Sequence, residues 1–147
     1  MMDLPESLIN NTALENVKIG DVYYIEMSQT DGITPKDGYN TRDKFFVVLG
    51  FDCQGNIYGG VVINSNINQH LPTIVKQYHM PILCEKYEFL SYDSFVNCSQ
   101  LMTATPAKLL QGDKVGEIQK EDINLIIATV CDYPNANKEK LRRFGLL

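Results

Sequence analysis

From Val22 to Met27 the chain alternates in a way that suits an extended strand: Val22, Tyr24 and Glu26 on one face, Tyr23, Ile25 and Met27 on the other. A polar stretch from Ser28 to Asp43 follows, punctuated by Asp31-Gly32, Pro35 and Asp37-Gly38. So long a connection inside a small domain is usually functional, and this one is expected to be mobile and to lie over a functional cleft. Lys44 to Phe51 then runs almost without a polar interruption, which predicts a strand buried on both faces. Asp52 to Asn56 carries a turn signal, and Ile57 to Ile63 returns as the hairpin partner. The paired Gly59-Gly60 within it predicts a bulge or sharp bend, as a barrel corner requires.

The pattern weakens after this. Asn64 to His70 is amide-rich and reads as a loop. Around His79 to Leu83 there is a strand signal that Pro81 confines to an edge or a bulge, and Ser94 to Leu101 is the next strand. Thr105-Pro106 opens a short helix that Gly112 ends, and Gly116 to Ile118 is extended. The strongest helix runs from Lys120 to Asp132. Ile123, Ile126, Ile127 and Val130 form one apolar stripe, Glu121 and Asp122 suit its first turn, and Pro134 stops it. Asn137 caps a last basic helix that finishes near Gly145. The expected fold is mainly β with terminal helices, a small barrel closed by a C-terminal helix. One domain spans 1–147, with the barrel over about 19–104 and the helices over about 105–145.

Composition narrows the function classes. A length of 147 residues suits one core, and 44% hydrophobic with 21% charged residues is ordinary globular usage. No apolar run approaches the roughly 20 residues of a membrane-spanning helix. Met1 to Glu6 is acidic and lacks the flank and apolar stretch of an export signal, so a cytoplasmic protein with reduced thiols is expected. Cys53, Cys84, Cys98 and Cys131 contain no C-x-x-C pair. Cys98 and Cys131 read as core residues, and no metal or cofactor is expected. His70 reads as a loop residue and His79 as a strand surface residue. The net charge of −5 removes any global attraction to nucleic acid and leaves local patches, such as Lys138, Lys140, Arg142 and Arg143, which also suit a solvated helix face.

One constellation remains. Arg42 and Lys44 stand where the apolar strand begins, and Asn64-Ser65-Asn66 where its partner ends, so the hairpin brings cations, a hydroxyl and amides to the same end. Such a group can receive a phosphodiester, because the cations offset charge that develops in phosphoryl transfer. A solvated hairpin end requires the same residue types, and both readings stand at this point.

The order of these pieces resembles the MazF/PemK family of toxin-antitoxin endoribonucleases, SH3-like barrels related in fold to CcdB. The likeness is carried by Ile19-Gly20-Asp21-Val22-Tyr23-Tyr24-Ile25, by the loop into Phe45 to Leu49, by Asp93 to Leu101, similar to the strand that leads into the family's Q-[IL]-R-T stretch, and by Leu109, Gly116 and Lys120-Glu121-Asp122 before the last helix. The resemblance implies catalytic positions at Arg42, Lys44, Asn64 and Ser65 and substrate contacts at Gln100 and Thr103. Lys44 stands at the family's arginine, Phe45 at its proline, Asn64 at its threonine and Met102 at its second arginine. It further implies single-stranded RNA as a partner, an antitoxin-like protein and a homodimer, with weak metal-independent cleavage from altered catalytic positions. The alternative expectation is a non-catalytic SH3-like module that binds a protein partner through its long loop and aromatics such as Tyr39.

Overall fold

The computed structural model describes residues 17–28, 41–53 and 55–147. β1 (Asp21–Ser28), β2 (Thr41–Phe51) and β3 (Tyr58–Asn64) form an antiparallel meander. The expected mobile loop falls mostly on residues 29–40, outside the described residues, as does Tyr39. Its last members, Arg42 and Asp43, belong to β2 instead, opposite Met27 and Glu26 of β1. Between β2 and β3 the register slips at Leu49: Val48 faces Gly60 and Gly50 faces Gly59. The expected bulge is therefore present, with its extra residue on the strand opposite the glycine pair.

β4 (His79–Ile82), β5 (Ser94–Asn97), β6 (Met102–Ala104) and β7 (Asp113–Glu117) complete a seven-stranded antiparallel sheet. The order is β4-β5-β3-β2-β1-β7, with β6 also on β3. β4 is an edge strand, the place Pro81 tolerates. The strand expected over Ser94 to Leu101 is broken after Asn97, whose Oδ1 accepts from Ser99 N at 3.1 Å and Ser99 Oγ at 2.5 Å. That local bonding diverts the backbone into a turn, and the chain regains the edge of β3 only at Met102. Among the described residues no ladder joins β4 to β7, so the strand order is an open path.

Four helices occur among the described residues: α1 (Thr73–Gln77), α2 (Pro106–Gln111), α3 (Lys120–Asp132) and α4 (Lys138–Arg143). Thr105 accepts from Lys108 N at 3.2 Å, Asn137 accepts from Lys140 N at 3.1 Å, and Gly112 is the C-cap of α2. α1 buries none of its residues and so left no apolar stripe to read. None of the described helices is long and apolar enough to cross a membrane.

Apolar side chains pack on both faces of the sheet. On one, Val22, Val47, Leu49, Val61 and Ile63 meet Ile123, Ile126 and Val130 of α3 and Leu141 of α4. Ile126 is fully buried, a contribution of about 1.5–3 kcal/mol. On the other, Tyr23, Ile25, Met27, Phe46, Val48 and Val62 join Met102, Ala104 and Leu109 of α2. The thiols are free; Cys98 is buried in the first cluster, and half-buried Cys131 donates to Leu146 O at 3.3 Å. The C-terminal segment seats Phe144 on β2 and β3 where only glycine fits. A Cβ on Gly50 would stand 2.1 Å from the Phe144 carbonyl oxygen, and one on Gly59 would stand 2.6 Å from its ring.

Candidate functional site

Phe45 pairs with Ile63, which leaves Lys44 and Asn64 side by side at the end of the β2–β3 ladder. Strand alternation places both on the face of Phe46 and Val62. Lys44 is buried, and its Nζ donates to Asn64 Oδ1 at 2.5 Å. Asn64 also pairs with Phe95 of β5, so a second neighbouring strand holds it in place. Arg42, two residues earlier on β2, and Ser65, just past β3, are both half-buried.

These four residues line one cleft of about 360 Å³ together with Gln100. Five of the six residues expected from the sequence are thus brought together. Thr103 is not among the lining residues; it pairs with Gly59 in β6. Met102, at the family's second arginine, lines the cleft as an apolar wall.

The structure adds His79 and Asn97, which face each other across β4 and β5 and line the same cleft. His79 is buried, a correction to the expectation of a surface residue. Its Nδ1 lies 2.8 Å from the Val75 carbonyl oxygen, which can only accept, so Nδ1 carries the hydrogen and the neutral ring keeps an acceptor at Nε2. Neither residue was legible, because their position depends on how β4 and β5 return to β3. His70, by contrast, is an exposed loop residue.

The lining chemistry is one-sided. Arg42 and Lys44 are accompanied by the amides of Asn64, Asn66, Asn68, Asn97 and Gln100, and among the described residues no carboxylate lines the cleft. The basic C-terminal residues are partly engaged elsewhere. Lys140 donates to Leu101 O at 2.6 Å, with burial holding its ammonium below the usual lysine range, and Arg143 lies 3.6 Å from Asp52. Among the described residues no cluster of three or more His, Cys, Asp or Glu forms a metal site.

No protein-family model matches the chain, and no curated protein matches it.

Proposed function

We propose that the protein is a MazF/PemK-like, SH3-like barrel that binds single-stranded RNA in this cleft and cleaves it weakly without a metal. The observation that carries the reading is a cleft whose described lining holds two cations, five amides and no carboxylate, in a chain of net charge −5. A polyanion site disfavours carboxylates, which would repel the phosphates. The barrel part of the proposal draws on the second apolar cluster, a sheet face buried without a long helix over it. On the same reading the chain acts as a cytoplasmic homodimer opposed by an antitoxin-like protein.

Cleavage follows from the residues in place. The 2′-oxygen bonds to phosphorus as the bond from phosphorus to the 5′-oxygen breaks, leaving a cyclic phosphate and a 5′-hydroxyl. Arg42 and Lys44 offset the charge that gathers on the non-bridging oxygens. Ser65 orients the 2′-hydroxyl, the Asn64 amide donates to the phosphate, and His79 Nε2 takes the 2′ proton and returns one to the leaving oxygen. Lysine lacks the planar fork of arginine, and the loss of one two-bond contact costs about 2.7–4 kcal/mol, a factor of roughly a hundred to a thousand in rate.

Long single-stranded RNA at low salt with chelator tests this. Slow cleavage is expected in the wild type, with a drop of about a hundredfold in Lys44→Met, which retains the buried stem, and losses in Arg42→Ala, Ser65→Ala and His79→Gln. Binding without cleavage in any of them would leave a non-catalytic RNA-binding protein. Absence of both in the wild type would sink the proposal in favour of the protein-binding module.

A further inference from the structure

Arg42, Lys44 and Ser65 also line a second and larger hollow of about 610 Å³. Alternation turns Phe45 and Ile63 to the opposite face of the sheet from Lys44 and Asn64, so the two hollows flank the end of the β2–β3 ladder from its two sides. The walls of the larger hollow are aromatic. Tyr24 and Phe45 have ring centroids 4.9 Å apart, Phe45 and Phe89 5.3 Å apart, and Tyr92 lines the same space. Phe89 is held by close packing, since a Cβ on Gly116 of β7 would stand 2.6 Å from its ring. Tyr24 and Tyr92 remain 40% and 60% exposed, too open for core residues and well placed for a ligand. The volume falls within the range of pockets that enclose small flat molecules.

We infer that this hollow is a nucleobase subsite: single-stranded RNA whose phosphate sits on Arg42 and Lys44 lays a neighbouring base against Tyr24 and Tyr92. The inference rests on the RNA reading of the adjoining cleft. Two features select this occupant over a purely apolar one. Arg42 and Lys44 line both hollows, so aromatic rings and cations adjoin in an acidic chain, which matches the alternation of flat base and anionic phosphate along a nucleic-acid strand. The serines Ser91 and Ser94 line the same space, and their hydroxyls can donate to or accept from a base edge. Asp43, exposed and also in the lining, disfavours a phosphate beside it. Because every base has an aromatic face, stacking here tolerates many sequences.

The test is fluorescence anisotropy with a short single-stranded RNA whose 2′-oxygens are methylated to prevent cleavage, compared across salt concentrations. Tyr92→Ala and Tyr24→Ala should each weaken binding roughly ten- to hundredfold with an unchanged salt slope, because stacking releases no counterions. Tyr92→Phe, which keeps the ring, should bind as the wild type does. Arg42→Ala should weaken binding and flatten the salt slope. If the tyrosine variants bind normally while Arg42→Ala does not, the base subsite is overturned and the RNA reading of the cleft stands. A loss shared by Tyr92→Phe assigns the effect to the hydroxyl and likewise overturns it. If the wild type fails to bind at low salt, both readings fall.

Discussion

Tyr58 shows what a single buried group costs. Its ring is fully buried and meets Phe51 edge to face at 6.3 Å, yet its hydroxyl has no hydrogen-bond partner among the described residues. Burial first, with a smaller contribution from Tyr23, pushes the phenol up to about 12. Removing an unpaired hydroxyl while keeping the ring is expected to be neutral or to stabilise the protein by about 1 kcal/mol. Tyr58→Phe should therefore raise or retain the urea midpoint at unchanged slope; a clear fall would show that the hydroxyl is bonded in solution. Lys44 is the opposite case, a buried polar group with a defined partner in Asn64. The meeting of the two groups was legible, since a turn near Gly55 brings Arg42 and Lys44 to the same hairpin end as Asn64 to Asn66; the placing of Lys44 beside Asn64 was not, because it depends on the one-residue slip at Leu49. The burial of His79 was not, because one histidine beside Tyr78 carries no periodicity that distinguishes a cleft wall from a solvated strand.

Among the elements, α3 was the most legible, with both ends as the apolar stripe and its flanking residues placed them. The anchorage of its first turn lay beyond sequence reasoning. Gln119 N donates to the Tyr87 hydroxyl at 3.1 Å, that hydroxyl donates to the Asp122 carboxylate, and Lys86 Nζ lies 2.9 Å from both Glu121 and Asp122. The 83–93 segment and the helix thus meet through partners some 35 positions apart, which no local pattern reports. Burial alone would raise the Asp122 carboxyl, but the Tyr87 hydroxyl and the Lys86 ammonium outweigh it and hold the group below the usual range. A depressed carboxylate contributes stability that is complete above its unfolded value of about 3.9 and is lost as pH falls through the folded value. Asp122→Asn should therefore cost about 1–2 kcal/mol at neutral pH, and the gap to wild type should close as pH drops towards about 2. Paired urea melts at the two pH values would read this. A gap that widens on acidification would contradict it.

For the molecule as a whole, the two-sided burial of β2 was readable from its unbroken apolar run, and so was the mainly β class with its helices at the C-terminal end. The order of strands was not. β5 and β6 dividing one edge of β3, and β7 lying against β1, are tertiary choices that alternation does not encode, and the closely packed seat of Phe144 on Gly50 and Gly59 is another. The site inherits this division: its hairpin half could be read, its β4–β5 half could not.

The β1–β7 ladder, which pairs Asp21 with Glu117, has a consequence in time. The meander from β1 to β3 joins strands that follow one another in sequence, whereas β7 must be carried back across most of the chain, and the entropy of that closure is offset only once the intervening sheet exists. Until then the outer edge of β1 lacks its strand partner, with Asp21 and Glu26 as the charges that discourage a foreign strand. The folding nucleus therefore belongs to the meander. Val61→Ala should slow refolding, whereas Ile118→Val, just beyond β7, should leave refolding nearly unchanged and speed unfolding. Stopped-flow chevrons measure both limbs, and an Ile118 effect confined to the refolding limb would place β7 in the nucleus instead.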